Sequence, residues 1–233
     1  MYFSVITPEE SLLRQAAHEL AQSPYAEHQW LWRFFPGSKE QSRDFIFRRH
    51  ALEQIPRFYV VSQRPPTAFS DAWQVQSRSY DPQLLEGQRF SFQLCANPVV
   101  TKKNGAGKSQ RHDVVMHAKK QLLIERGFNA ESKWKEWSKE DNKPLLYELV
   151  QKPCIVWLQS RASSNGFTVA AASVDAYQQN RAGKRDIRFS TVDFSGELLV
   201  TNPELFQQAL FNGLGHAKAF GCALLLVKRM ESE

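Results

Sequence analysis

The sequence predicts an α+β fold, because two successive halves of the chain repeat nearly the same order of strand and helix patterns. The first half reads as strand, helix, strand, strand and strand, with a short undefined segment before its last strand. The second half reads as strand, helix, strand, strand, helix and strand, with added segments. This is the β-α-β-β-α-β order of the ferredoxin-like fold. Leu85-Glu86-Gly87-Gln88 has the composition of a linker, so we expect two such domains in tandem, at 1–86 and 88–233.

The first half opens on a strand followed by helices. Tyr2–Ile6 carries the aromatic and β-branched residues that strands favour. Thr7 can cap a helix that has Pro8 at its first position, which predicts a helix to about Gln22. A second cap-and-proline signal predicts another helix over Tyr25–Phe35. Three more strands are expected in this half, at Asp44–Arg49, Arg57–Gln63 and Trp73–Tyr80.

The second half begins with a strand over Arg89–Ala96, where apolar residues alternate with polar or basic ones. Asn97-Pro98 ends this strand and leads into a basic loop. Val114–Arg126 has apolar residues near helical spacing and Gly127 as a stop, so it predicts a helix. Glu131–Lys143 is rich in charge and tryptophan, which indicates an irregular or helical insertion.

Strands dominate the rest of this half. Turn residues and basic charge over Ala176–Arg185 predict a projecting loop or hairpin. Asn202-Pro203-Glu204 is a capping signal for one more helix, and the apolar run Cys222–Val227 is typical of a central strand. The remaining strands are expected at Cys154–Gln159, Phe167–Val174, Arg188–Asp193 and Glu197–Val200, the last two forming a pair.

Basic residues are concentrated in two stretches of the chain, which carries a net charge of +6. Clustered positive charge is typical of nucleic-acid binding, and the predicted element order is the one that RNA-recognition modules use. A solvated face on a basic protein is the alternative interpretation. We therefore predict RNA binding by Lys102, Lys103, Lys108 and Arg111 in one cluster and by Arg181, Lys184, Arg185 and Arg188 in the other.

Cysteine use and hydropathy indicate a cytoplasmic protein. Cys95, Cys154 and Cys222 are far apart and form no CxxC pair, so neither a zinc ribbon nor a thioredoxin-like motif is predicted. They are expected to be buried thiols in a reducing compartment. The N-terminus lacks a signal-peptide pattern, and no run approaches the roughly 18 apolar residues of a membrane span. No metal or cofactor is predicted.

A glycine-containing segment lies between the last predicted helix and the last predicted strand. Gly213, Gly215 and Gly221 allow close backbone approach, so that successive N–H groups can point at phosphate oxygens, and Lys218 adds a cation. A dinucleotide fingerprint would need the opposite order, from strand into helix. The two interpretations are therefore a phosphate-binding loop and a tight helix-to-strand turn.

Tyr25 and His28 are the candidates for acid–base chemistry. Residues three apart share one face of a helix, so both side chains can point into one site. A histidine has a pKa near neutrality and can give or take a proton. The alternative is an ordinary surface or core histidine. The aromatic run Trp30–Phe35, which follows on the same helix, is interpreted as core packing rather than as a base-stacking surface.

Four stretches, in this order and at these intervals, resemble the CasE family, the CRISPR repeat-RNA endoribonucleases of type I-E systems. The resemblance covers nearly the whole chain, although Ala223 stands where the family commonly has a glycine. The four stretches are Pro24-Tyr25-Ala26-Glu27-His28, Ala96-Asn97-Pro98, Asp193-Phe194-Ser195-Gly196-Glu197-Leu198, and the glycine segment followed by Gly221-Cys222-Ala223-Leu224-Leu225.

The resemblance implies tandem ferredoxin-like domains and metal-independent cleavage of a repeat hairpin. Attack by a ribose 2′-OH would leave a 2′,3′-cyclic phosphate and a 5′-OH. Tyr25 and His28 match the family's active-site tyrosine and histidine, with either proton transfer open to His28. The product RNA would be retained in the Cascade complex with other protein subunits. Two other hypotheses are a non-catalytic RNA-binding subunit and a phosphometabolite enzyme that uses the glycine segment.

Overall fold

The computed structural model describes residues 1–20, 24–37, 42–52, 55–103, 105, 107–129, 131–138, 142–182 and 187–230. Within these residues the strands are β1 Tyr2–Pro8, β2 Phe45–Leu52, β3 Ile55–Ser62, β4 Trp73–Ser79, β5 Arg89–Ala96, β6 Val99–Lys103, β7 Ser109–Asp113, β8 Phe167–Ala182, β9 Ile187–Val200 and β10 Leu225–Arg229. The α-helices are α1 Leu13–Glu19, α2 Pro24–Trp32, α3 Val114–Glu125, α4 Leu146–Ala162 and α5 Pro203–Asn212. Short 3-10 helices cover Glu10–Leu12, Trp134–Glu136, Ser163–Asn165 and Lys218–Phe220.

The strands form two antiparallel four-stranded sheets of equivalent topology. The orders are β2-β3-β1-β4 and β10-β5-β9-β8, and β6 pairs with β7 in a separate hairpin. Numbered within each half, both sheets have the order 2-3-1-4, which confirms the predicted tandem of ferredoxin-like folds. The first half contains no helix between β3 and β4, over residues 63–72. The sheets lie on either side of residue 87 in the sequence, and the boundary placed there stays a prediction.

Aromatic side chains fill the core of the first sheet. The ring of Trp30 lies 4.9 Å from that of Phe58 and 4.6 Å from that of Trp73, centroid to centroid. Phe34 is fully buried beside them. Rings at such distances add edge-to-face attraction to the burial of their apolar area. The aromatic run of α2 is therefore core, as predicted, and it holds α2 against the sheet.

Two predicted segments take a different structure. Pro8 still belongs to β1, where it pairs with Trp73, so the helix that Thr7 was predicted to cap starts only at Glu10. Cys154–Gln159 is not a strand but part of α4. Its buried positions, which include Val150, Cys154 and Leu158, recur every four residues, which is helical spacing. The short apolar run suggested a strand, because a window of six residues does not distinguish the period of a helix from that of a strand.

The strands near the C-terminus also differ from the prediction. Arg188–Asp193 and Glu197–Val200 belong to one continuous strand, β9, which pairs along its length with an equally extended β8. Residues 176–182 of the predicted hairpin form the distal part of this ribbon, and its residues 183–185 lie outside the described residues. The run Cys222–Val227 contributes β10, which is an edge strand. Its residues are apolar because Leu224 packs against Ile46 and Val61 of the first domain.

The two domains are joined by a small apolar cluster and an ion pair whose arginine is buried and whose carboxylate is partly exposed. Arg48 on β2 lies with its guanidinium 3.4 Å from the carboxylate of Asp193 on β9. Near them, the rings of Tyr80 and Phe211 meet edge to face at 5.6 Å. Without the carboxylate, the buried guanidinium of Arg48 would lose its ion-pair partner, which is unfavourable. The pair therefore favours one relative placement of the two sheets.

Two glycines of positive φ differ in the space around them. Gly213 has φ +74° and Gly127 has φ +81°. An added Cβ would lie 2.7 Å from the carbonyl oxygen of Ala223 at Gly213, and would meet no described atom within 4 Å at Gly127. Gly127→Ala should cost roughly 1–2 kcal/mol from the left-handed backbone alone. Gly213→Ala should cost more, because overpacking adds about 1–3 kcal/mol and because a backbone at φ +74° and ψ +165° is nearly restricted to glycine. Thermal unfolding of both variants measures the difference, and equal destabilisation would contradict the crowding.

Candidate functional site

The two segments singled out in the sequence meet at one place in the structure. Helix α2, which carries His28, packs against the 3-10 helix Lys218–Phe220 of the second domain. That 3-10 helix lies within the segment Gly213–Gly221, called here the glycine loop. At its end, a Cβ on Gly221 would lie 3.2 Å from the ring of Phe47 on β2. The glycine at this position allows the loop to approach the first domain closely, which brings the histidine and the loop together.

His28 is half-buried between aromatic rings. Its Nε2 accepts a hydrogen bond from the indole N–H of Trp32 at 3.2 Å, and its ring lies 6.0 Å from that of Phe45. Its Nδ1 is buried and has no hydrogen-bond partner among the described residues. Burial and the nearby positive charge of Arg43 hold the pKa of His28 below its usual value. The lowered pKa favours the neutral imidazole, in which Nε2 accepts from Trp32 and Nδ1 carries the ring proton.

Two cations share the surroundings of His28. Burial lowers the pKa of Arg43, and burial together with Arg43 lowers that of Lys218. The Lys218 ammonium donates a hydrogen bond to the carbonyl oxygen of Asn212 at 2.6 Å, which holds it at the loop. Partly buried like charges that repel each other favour a bound anion. The junction of α2 and the glycine loop can therefore accept a phosphate beside the imidazole.

The glycine loop keeps a glycine-like backbone at positions occupied by alanine. Ala217 has φ +58° and Ala223 has φ +87°. The Ala223 N–H donates to the carbonyl oxygen of Cys95 at 2.7 Å, and its own carbonyl accepts from the Leu214 N–H at 2.9 Å. These bonds compensate the left-handed conformation. The alanine at position 223 thus leaves the turn geometry in place.

Glu27 is a positioning residue that sequence reasoning missed. Its carboxylate is buried and lies 3.0 Å from the guanidinium of Arg49 on β2. Burial raises the pKa of Glu27, and Arg49 opposes that shift. The pair anchors the start of α2 to the sheet. Glu27 lies within the Tyr-Ala-Glu-His stretch, but no local sequence pattern predicts its ion pair with a residue of β2. Arg43 was missed for the same reason, because it comes close to His28 only where the chain returns into β2.

The predicted cationic residues lie on two projecting hairpins. Lys102 and Lys103 are exposed at the end of β6, with Lys108 and Arg111 on the returning arm. Arg181 and Arg188 are exposed cross-strand neighbours of β8 and β9. Lys184, Arg185 and the side chain of Tyr25 fall outside the described residues.

A buried polar network connects these hairpins. Asn97 donates from its side-chain amide to the carbonyl oxygen of Ser190 on β9 at 2.7 Å. The carboxylate of Asp113, at the end of β7, accepts from the Ser190 hydroxyl and from the Met116 N–H, which caps α3. Phe189 stacks on Phe220 of the glycine loop, with ring centroids 4.6 Å apart. The cationic hairpins and the glycine loop therefore have fixed relative positions.

In the described part of the chain, no three His, Cys, Asp or Glu side chains converge as a metal site would require. Among the helices in that part, none has the length and apolar character needed to cross a bilayer.

Comparison with known proteins gives one family. The chain matches the family model described as CRISPR associated protein over residues 1–229. It is similar to the CRISPR system Cascade subunit CasE of Escherichia coli K12, at 26% identity over 204 residues, which is 86% of this chain and 89% of that protein. A structure of the CRISPR endoribonuclease Cse3 bound to a 19-nucleotide RNA gives a TM-score of 0.68 and 22% identity over 97% of this chain and 98% of that chain. The crystal structure of Cas6e from Escherichia coli K-12 gives a TM-score of 0.61 and 22% identity over 99% of this chain and 100% of that chain. At these identities the two structures support the fold.

The influence of Arg43 on His28 can be measured directly. NMR titration should place the pKa of the His28 imidazole below that of an ordinary histidine. Arg43→Gln should raise it, because removing a nearby positive charge favours the imidazolium. Arg33→Gln is the matched control, since the Arg33 guanidinium lies 3.6 Å over the ring of Phe69. An equal response to both substitutions would contradict a specific Arg43–His28 interaction.

Proposed function

Because the chain belongs to the CasE family of CRISPR-associated proteins, we propose that it is a metal-independent endoribonuclease that cleaves CRISPR repeat hairpin RNA. The observation that carries the proposal is the position of His28 beside Arg43 and Lys218, where α2 meets the glycine loop. An imidazole next to an anion-binding site is the arrangement that RNA cleavage without a metal needs. The names of the relatives, a CasE subunit of Cascade and a CRISPR endoribonuclease, support the broader statement that this protein processes RNA.

The reaction proposed is attack of a ribose 2′-OH on the adjacent phosphorus. A bond forms between O2′ and phosphorus while the bond from phosphorus to O5′ breaks, leaving a 2′,3′-cyclic phosphate and a 5′-OH. A neutral His28 is suited to accept the 2′-OH proton at Nε2, because Nε2 accepts from the Trp32 N–H and Nδ1 therefore carries the ring proton; the substrate hydroxyl would take the place of the Trp32 N–H. Tyr25 orients or assists. Arg43 and Lys218 stabilise the negative charge that develops on the phosphoryl oxygens.

Substrate binding is assigned to the two cationic hairpins and the glycine loop. The major groove of an A-form hairpin is deep and narrow, so contacts fall mainly on phosphates and on shape. Lys102, Lys103, Lys108 and Arg111 would follow one strand of the RNA. Arg181, Lys184, Arg185 and Arg188 would follow the other, with Gly213, Gly215, Lys218 and Gly221 near the cut. The cleaved RNA would stay bound and enter the Cascade complex with its other subunits.

One observation favours a second candidate, a non-catalytic RNA-binding subunit. In the free protein Nδ1 of His28 is buried and Nε2 is occupied by Trp32. The imidazole therefore reaches substrate only if RNA binding rotates it or displaces its neighbours. A chain in which this did not occur would bind hairpin RNA tightly and leave it intact.

The catalytic proposal predicts a loss of cleavage with binding retained. His28→Ala should slow single-turnover cleavage of the cognate repeat RNA by about 10²–10⁴-fold, the usual contribution of a general acid or base. His18→Ala, at an exposed position of α1, should cleave like the wild type. Wild-type cleavage should continue in EDTA and yield a cyclic phosphate end detectable by mass spectrometry. Dependence on magnesium, or normal cleavage by His28→Ala, would rule out the mechanism.

The binding proposal predicts a change in salt dependence. Arg181→Ala with Arg188→Ala should weaken hairpin binding and reduce the slope of log affinity against log salt by roughly one for each phosphate that is no longer neutralised. Arg14→Ala with Arg89→Ala removes the same charge from exposed positions outside the hairpins and should leave the slope close to that of the wild type. Fluorescence anisotropy over a salt series measures both. If the two double variants behave alike, the RNA follows another path.

A further inference from the structure

A groove lies between the β6–β7 hairpin and α4, outside the residues assigned above to catalysis. Its volume is about 470 Å³, within the range of small-ligand sites. The apolar part of its lining includes Val99, Val156 and Trp157. The Trp157 indole N–H donates to the carbonyl oxygen of Val99 at 3.2 Å, which fixes the hairpin to the helix. Val156 is 55% exposed, so it presents apolar surface to the groove that a ligand could cover.

The rim of this groove is cationic. Lys102, His117 and Arg161 line it, and the lining residues within the described chain include no carboxylate. The Arg161 guanidinium lies 5.8 Å over the ring of Trp157. An apolar interior with cations at the edge suits a ligand that has a flat apolar body and an anionic group. A nucleotide has this chemistry.

The groove is contiguous with the candidate active site. Trp157 reaches the glycine loop, where a Cβ on Gly215 would lie 3.3 Å from its ring. Burial lowers the pKa of His216, the next residue of the loop, and the positive charges of Arg111, Arg161 and Lys218 lower it further. A line of cations therefore runs from Lys218 across the loop to Arg161. An RNA backbone leaving the candidate cleavage site along this line would arrive at the groove.

We propose that the groove between β6 and α4 binds the base of one unpaired nucleotide that flanks the repeat hairpin. The inference rests on the proposed function, because it requires the hairpin to be the substrate. The base enters between Val99, Val156 and Trp157, and its phosphate lies against Arg161 and Lys102. Thr101 and Ser160 place hydroxyl groups at the lining, where they can hydrogen-bond a base edge. Lys102 thus contacts the single-stranded flank, while Lys103, Lys108 and Arg111 of the same β-hairpin contact the duplex.

A double-mutant cycle tests the assignment. The probes are the cognate repeat RNA with its unpaired flanks, the same stem-loop trimmed of those flanks, and flanked RNAs with one abasic substitution at a time. Val156→Trp fills the groove from an exposed position, and Ile124→Trp is the control at an exposed position of α3 outside the groove. In the wild type, one abasic position should weaken binding about tenfold, the order of a single base–side-chain stack. In Val156→Trp that weakening should already be present, and the same abasic substitution should add nothing.

The outcomes distinguish the possible errors. Trimmed stem-loop should bind equally to wild type, Val156→Trp and Ile124→Trp, which also shows that the variants are folded. If the wild type binds trimmed and flanked RNA equally, or no abasic position matters, the groove assignment is wrong while the proposed function stands. If Val156→Trp instead keeps all RNA binding and fails to associate with other Cascade subunits, the groove is a protein contact and the assignment is wrong. If the wild type binds neither the flanked nor the trimmed RNA, the proposed function is wrong and so is this inference.

Discussion

The close approach of the glycine loop to helix α2 is the contact on which the rest of the arrangement depends. Gly221 passes so near Phe47 that a side chain there would have to displace the ring. This approach places Lys218, from the second domain, near Arg43 of the first, whose charge also acts on His28. Neither domain alone contains the complete site. The ion pair of Arg48 with Asp193 supports the contact, since it links β2 directly to β9.

The same contact concentrates positive charge where burial makes that charge unfavourable. Arg43, Lys218 and His28 all have a lowered pKa because they are partly withdrawn from water, and Arg43 acts on the other two. Such repulsion is a cost in the free protein that a bound phosphate removes. A phosphate bound at this junction would therefore stabilise the arrangement. A surface lysine gains far less, because water already screens its charge.

Short-range sequence patterns correctly predicted the elements whose structure depends on neighbouring residues. The cap at Asn202, the helix at Val114 and the aromatic core of α2 follow from short-range patterns, and the structure has all three. Two segments were misassigned for different reasons. Residues 154–159 belong to a helix whose period a short apolar window does not show, and Pro8 remains extended because it pairs with the distant Trp73. The candidate site follows the same division. His28 and Lys218 were visible from residue type and spacing, whereas Arg43 and Arg49 come close to α2 only through the return of the chain into β2, and the role of Glu27 depends on Arg49.

The position of Arg43 has a consequence for how one histidine can act at two stages of a reaction. Without substrate, Arg43 disfavours the imidazolium, so His28 is neutral and able to accept a proton. A phosphate bound between Arg43 and Lys218 would offset that repulsion and raise the proton affinity of the imidazole. The proton taken from the 2′-OH would then be held more firmly as charge builds on the phosphoryl oxygens. Binding of the substrate would itself move His28 from the state that accepts a proton towards the state that retains or donates one, with no second titratable group required.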